Sequence, residues 1–513
     1  MINRASLFFL TFLILAVCFP VFPQEGNEQD EKIFVINSYE YIIKGITKPY
    51  ALNYRAEFKT GEEITGQANL EKFIRDKTQI IYNQRVIESV SIEHTVGEAG
   101  EDGKYPVDLK IFTKDTWNIM AIPRPKYDSN TGFDISIKAR DYNFLGTMSP
   151  LRLDLGYQRN NEGQNFYTVM LDSDIPFYLF GLNWNVDFDH DYTYRPDVKN
   201  NDGKAVPHYY RNITGISVEL PFRRTVFTIG FAEWFIYNQE NATRYRKEFG
   251  RFTEGLYLSS RPYVSWKIPI GEHYYDLGEF IYTPRISATF NHELPLWTIP
   301  DYRKGPFLYF SHNIQFSRIN WHGNFQRGAA ASISNSNSFN FFDHKNGKNP
   351  WGTNFSISAK GYTMLGKNVG LTSRIMYKHF FLDDYEDYGG NVIRGVLDNK
   401  IKADYLFAMN FDLPIRVLKL RPSNWSERNR FLRIFDFDLH VSPVVDIGFY
   451  NNVNTLAPFG LENMLLGGGL ELIIYPERWR SLFLRISVAL GLQTGKLSDG
   501  FTREIFIGTE LFY

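Results

Sequence analysis

Beyond Asp115 the chain repeats one pattern: segments of about 8–14 residues in which apolar and polar side chains alternate, each closed by a turn or a polar loop. Segments 132–142, 151–158, 166–174, 213–220, 226–236, 354–362, 371–381, 407–414, 435–448 and 505–513 all read this way. In the second of these, Leu151, Leu153, Leu155 and Tyr157 share one face, while Arg152, Asp154 and Gly156 share the other. The stretch from Phe435 to Val441 alternates as strictly. A transmembrane barrel needs apolar-out, polar-in strands of about 9–11 residues with aromatics at both interfaces. A soluble sandwich would instead bury the apolar face. Roughly 400 residues exceed one sandwich core, and aromatics cluster at segment ends, as at Trp234-Phe235-Ile236-Tyr237 and Phe380-Phe381. The pattern therefore predicts a transmembrane antiparallel β-barrel over 116–513. Allowing about 24 residues per strand and connection gives about 16 strands. A direct count of segments comes nearer 18, with the surplus assigned to a hairpin inside 256–290.

Residues 32–115 have a different rhythm. Segments 32–43, 85–94 and 105–113 alternate as strands, the last with Val107, Leu109 and Ile111 on one face. Segment 50–58 can form a short helix that Gly61 ends, and Leu70, Phe73, Ile74, Ile80 and Ile81 recur at helical spacing. The expected order is β-α-α-β-β, a small α+β domain.

The first 23 residues read as a secretory signal peptide: Arg4, an apolar run over 7–22, then Gln24-Glu25. Cys18, the sole cysteine, excludes a disulfide scaffold and a Cys-ligated zinc site; its flanks, Val17 and Phe19-Pro20, fit a lipoprotein signal poorly. Lys and Arg number 56 against 57 Asp and Glu, which leaves no basic face for nucleic acid. Mean hydropathy is −0.31 and no run of 18 apolar residues occurs beyond the first segment, so no membrane helix is expected in the mature chain. Aromatics reach 17%, as an aromatic-girdled barrel requires.

The most specific constellation is Tyr388-Gly389-Gly390-Asn391-Val392-Ile393-Arg394-Gly395-Val396, followed by the segment from Tyr405 through Asp412 to Pro414. It resembles the inward-folded loop and next strand of the BamA/TamA outer-membrane assembly-factor superfamily, also called the bacterial surface antigen family. Asn143 to Gly146 is similar to that family's early Asn-x-x-Gly turn, and Val445-Asp446-Ile447-Gly448 to its later apolar-Asp-x-Gly strand. The resemblance implies a POTRA-like periplasmic domain at 32–115, an outer-membrane barrel at 116–513, and a loop near 382–402 folded into the lumen. It also implies a reduced member, because only one POTRA-like unit fits before the barrel. The triplet ends in Val396 instead of an aromatic, so the packing an aromatic would give is expected to be missing.

On that reading Arg394 is the tip of the lumen loop, Gly395 turns the backbone beside the wall, and Asp446 faces the lumen between Val445 and Ile447. An Arg394–Asp446 pair is expected to lock the loop, since the guanidinium fork suits a carboxylate. Gly508, Leu511 and Tyr513 in the last segment resemble the C-terminal signal by which barrels are recognised. Asp187, Asp189 and Asp191 alternate on one face beside His190, but a polar strand end explains them better than a Ca²⁺ site. No two of the ten histidines stand four apart, and no Gly-x-Ser-x-Gly or P-loop occurs. The expectation is a protein with no catalytic residues, cofactor or metal. It inserts outer-membrane proteins or translocates polypeptide. Its partners are the outer-membrane bilayer, unfolded clients held by the POTRA-like domain, and periplasmic accessory proteins, with no nucleic acid. A two-partner-secretion-like or lipid transporter is the first alternative; a passive porin is the second.

Overall fold

The computed structural model describes residues 32–128, 132–160, 163–194, 196, 208–238, 255–274, 278–293, 304–381, 387–388, 392–396, 402–425, 435–451, 463–477, 483–493 and 501–508. The signal-peptide segment, most of the 382–402 loop, Leu511 and Tyr513 lie outside them.

Two compact units emerge: Met1–Glu40 with Phe58–Lys77 and Ile92–Lys110, and Tyr41–Glu57 with Thr78–Ser91 and Ile111–Tyr513. The N-terminal elements are β1 (Ile33–Lys44), α1 (Pro49–Ala56), β2 (Glu63–Thr65), α2 (Gln67–Asn83), β3 (Ile87–Val96) and β4 (Tyr105–Asp115), with sheet order β2-β1-β4-β3. The order is thus β-α-β-α-β-β, one strand more than the sequence pattern indicated. The extra strand, β2, is three residues long and pairs only with Ile33–Val35, too short to show a period. In the smaller unit Phe34, Ile36, Phe58, Leu70, Phe73, Val107 and Leu109 are buried together as the alternating and helical positions required.

The remainder is a closed antiparallel barrel. Its strands are β5 (Ile119–Asp128), β6 (Gly132–Asp141), β7 (Leu151–Arg159), β8 (Asn165–Leu179), β9 (Leu182–Tyr194), β10 (His208–Phe222), β11 (Thr225–Asn238), β12 (Gly255–Tyr274) and β13 (Gly278–Glu293). They continue through β14 (Phe307–His322), β15 (Phe325–Asn340), β16 (Trp351–Met364), β17 (Gly370–Phe381), β18 (Tyr405–Asp412) and β19 (Ile415–Leu420). The last four are β20 (Phe437–Asn451), β21 (Met464–Pro476), β22 (Leu484–Gln493) and β23 (Phe501–Gly508). β18 and β19 are one strand interrupted at Leu413-Pro414, since both pair along β20. The barrel therefore has 18 strands, and the figure of about 16 is corrected. Three connections at one end are two-residue turns, at 180–181, 223–224 and 323–324, and each strand with its connection uses about 22 residues of the 390 between Ile119 and Gly508. The hairpin expected inside 256–290 is β12–β13.

Alternation carries through to exposure. Val218, Ile229, Val264, Ile286 and Phe310 are cross-strand partners in one row, and the last four leave over two-fifths of their surface open. A closed barrel with such an outer wall and a polar inner one is built for a bilayer, where every strand edge must be paired.

Candidate functional site: a loop tip locked in the barrel lumen

Inward-facing positions on β18, β20, β21 and β22 converge on residues 392–396. On β20 the lumen parity is Val444, Asp446, Gly448 and Tyr450, all buried, while Val445 on the other parity is exposed. On β21 it is Leu465, Gly467, Gly469 and Glu471. The tip lies against these positions, and Arg394 is 1% exposed with Asp446 at 0%.

The guanidinium grips Asp446 bidentately: Nε donates to Oδ2 at 2.8 Å and Nη2 to Oδ1 at 2.6 Å. The Arg394 backbone N–H donates to the same Oδ2 at 2.8 Å. Two further carboxylates complete the nest. Nη2 also reaches Asp412 Oδ1 at 2.6 Å, and Nη1 reaches Glu471 Oε1 at 3.1 Å. Arg485 Nη1 shares that Glu471 oxygen at 3.1 Å. The expected pair is thus a hub of one arginine and three acids. A buried guanidinium needs this much: its five donors can be satisfied only by several acceptors, and unpaired burial of the charge would be prohibitive.

The backbone is fixed as well. Gly395 N–H donates to Glu504 Oε2 at 2.8 Å, and Asn410 Nδ2 donates to Val392 O at 2.8 Å. Gly395 adopts φ +83°, and a Cβ there would lie 2.5 Å from the Leu490–Gly491 backbone. Both facts call for glycine. A Cβ at Gly467 would lie 2.1 Å from Arg394 O, so the wall itself is cut back to admit the tip.

Opposite the charges is an apolar seat. Val392, Ile393 and Val396 pack with Met376, Ala403, Leu406, Ala408, Tyr450 and Leu465. Val396 is wholly buried within this seat, so the valine in the place of an aromatic is itself packed.

Glu471, Glu504 and Asn410 were not singled out from sequence, and Asp412 was named there only as part of the segment ending at Pro414, without a role. Glu471 carried a usable signal, being the one charge in the apolar run 464–475, two positions after Gly469 on the same face. Gly508 also faces inward, where a Cβ would collide with the Phe506 ring at 2.4 Å; a recognition role for it goes with Leu511 and Tyr513, outside the described residues. Asp187, Asp189 and Asp191 line the lumen face of β9, where Arg211 holds Asp189 at 3.1 Å. Among the described residues no group of three or more His, Cys, Asp or Glu is placed to hold a metal.

The Asn143–Gly146 turn has its own task within the larger unit. Asn143 is fully buried and donates to Thr47 Oγ1 at 2.7 Å and Asp115 Oδ2 at 3.3 Å, while its Oδ1 accepts from Met148 N at 2.9 Å. Gly146, at φ +76°, lies so close to Ile46 O that a Cβ would be 2.1 Å away.

No protein-family model matches the sequence, and none of the curated proteins does. Among solved structures the chain is similar to CdiB from Acinetobacter baumannii, with a TM-score of 0.47 and 11% identity over 93% of this chain and 74% of that one. It is similar to BamA from Haemophilus ducreyi lacking POTRA domains 1–3, with a TM-score of 0.40 and 14% identity over 93% and 84%. It is also similar to CdiB from Escherichia coli, with a TM-score of 0.41 and 10% identity over 99% and 98%.

Proposed function

We propose that this protein is a non-enzymatic outer-membrane insertase or polypeptide translocase, with its short-turn end and N-terminal domain in the periplasm. The observation that carries the reading is the Arg394 hub. A loop tip fastened to the inner wall by hydrogen bonds and side-chain packing can gate a conduit reversibly; a passive porin has no use for so much buried charge. Short turns at one end and long connections at the other match the periplasmic and extracellular ends of such barrels. The N-terminal sheet ends in β3, a ten-residue edge strand with mostly exposed side chains, suited to catching an extended client as an added strand. In this reading 32–115 acts as the POTRA-like domain. The drive comes from client folding.

Depletion of the protein followed by proteomics of the outer membrane and of the medium tests this. Broad loss of barrel proteins supports insertion. Loss of one secreted protein supports a dedicated transporter, the second reading. Unchanged membrane and medium proteomes would refute both.

A further inference from the structure

Two neighbouring hairpins at the short-turn end break the usual chemistry of their turns. Two-residue hairpin turns with positive φ favour Asn and Gly. Here Phe180 adopts φ 53° in the β8–β9 turn and Arg223 adopts φ 57° in the β10–β11 turn. Neither is repaid by packing, since Phe180 is 87% exposed and Arg223 is exposed. The hairpins lie side by side. Asn183 pairs with Glu219, and Phe180 and Phe222 each lie three residues beyond that pair. Strain at an exposed bulky residue points to a use outside the fold.

The surroundings say which use. On the outer wall, close to these turns, Trp184 stacks on Phe177 at 6.3 Å and Trp266 on Phe227 at 4.7 Å. Trp184 Nε1 donates to Leu179 O at 3.1 Å, tying the girdle to the turn. Tryptophan at the end of an apolar wall marks head-group depth. Beyond it come exposed Phe222, the Arg223 guanidinium 5.6 Å from its ring centre, and exposed Arg224. Neither arginine is paired with a described carboxylate. A described acid close by in register, Glu219, accepts from Asn183 at 3.3 Å and Tyr54 at 3.1 Å.

We propose that this rim is a binding site for an anionic phospholipid of the periplasmic leaflet. Arg223 and Arg224 hold the phosphodiester, and Phe180 and Phe222 enter the interface beside its glycerol backbone. The site continues the lipid-facing wall without a break, and its charge complements phosphate. The inference rests on the membrane orientation proposed above.

The test uses full-length protein refolded into mixed phosphatidylethanolamine–phosphatidylglycerol vesicles, extracted in mild detergent, with the carried lipid counted by native mass spectrometry. Wild type should retain phosphatidylglycerol preferentially, by about fivefold for each arginine. Arg223→Asn with Arg224→Ser should abolish the preference, and lysine at both positions should keep it. Phe180→Asn should lower retention while raising the melting temperature, because Asn tolerates the left-handed turn. Heat-modifiable gel migration reports whether each variant forms a barrel. A folded, inserted wild type without preference, or a preference that survives in the Arg223→Asn, Arg224→Ser double variant, overturns the site. Displacement of the lipid by inorganic phosphate alone would make it a phosphate site, and cross-linking of unfolded client at Phe180 in place of lipid would make it a client site; either overturns the proposal. A chain that never enters vesicles would instead refute the membrane reading.

Discussion

The inner wall of the barrel is two surfaces made by one rule. Along β18 and β20–β22 the inward residues beside the tip mix glycine, alanine and aliphatics with Asn410, Asp446, Tyr450, Glu471 and Arg485, and these are buried. Along β7–β10 they are mostly polar and include the partly exposed charges Arg152, Asp154, Asp172, Asp189 and Arg211. The same ion-pair chemistry occurs on both. Arg152 meets Asp172 at 2.6 Å, as Arg394 meets Asp446, yet the first pair is 48% and 38% exposed and the second is buried. Coulomb attraction is screened in the first case and costly to forgo in the second. Contact distance therefore says little about what a pair contributes; the covering layer decides it. In the lock that layer is five described residues of a loop.

Removing the hub should separate the two walls most sharply. Arg394→Ala takes the guanidinium away from Asp446, Asp412 and Glu471 at once, leaving Asp446 the backbone N–H of residue 394 and Glu471 its contact with Arg485. A loss of about 3–5 kcal/mol in loop seating is expected, read as protease cleavage of the loop in intact cells. Asp446→Ala should cost less, because Asp412 and Glu471 still hold the guanidinium. The double variant should fall well short of additivity, since both changes break the same contacts. Additive effects in that cycle would mean that Arg394 and Asp446 are not coupled. Arg394→Lys should recover only part of the loss, lacking the fork.

Gly467→Ala probes the covered wall without touching a charge. Its Cβ would press on Arg394 O, and the tip must lift or the strand must bend, at about 1–3 kcal/mol. Val396→Phe should cost a similar amount for the same reason, since its seat among Leu406, Ala408 and Leu465 is already occupied. Hydrogen exchange at residues 392–396 measures both. Unchanged protection in Gly467→Ala would show that the tip does not rest on β21.

The sequence disclosed the barrel because period-two alternation is local, and every strand repeats it. Arg394, Gly395 and Asp446 drew notice because Arg-Gly follows a glycine pair in one segment and a lone Asp interrupts an apolar strand in another. The sequence did not disclose a role for Asp412, Glu471 or Glu504. These come from three strands spread over nearly a hundred residues, and only closure of the barrel brings them to one guanidinium and its neighbouring amide. Nor does the sequence tell how deeply Val396 is buried, because its cluster partners Met376, Tyr450 and Leu465 come from distant segments. The strand count slipped because connection lengths at the two ends differ, which an average per strand conceals. β2 was missed because three residues cannot display a period.

The smallest effect should come from the open wall, and it completes the contrast. Arg211 lies 3.1 Å from Asp189, with the two side chains 28% and 42% exposed. Lumen water solvates both groups, so Arg211→Ala should change barrel stability by less than about 1 kcal/mol. What remains should also fade with ionic strength, because exposed charges are screened within a Debye length of about 10 Å at 0.1 M salt. The Arg394 hub, shielded from ions, should hold its loop equally well at low and high salt. Measuring the melting temperature of Arg211→Ala, and loop cleavage of the wild type in detergent, across a salt series tests both halves. If loop cleavage rose with salt as steeply as the Arg211 contribution fell, lumen water would reach the hub, and the covered wall would differ from the open one only in shape.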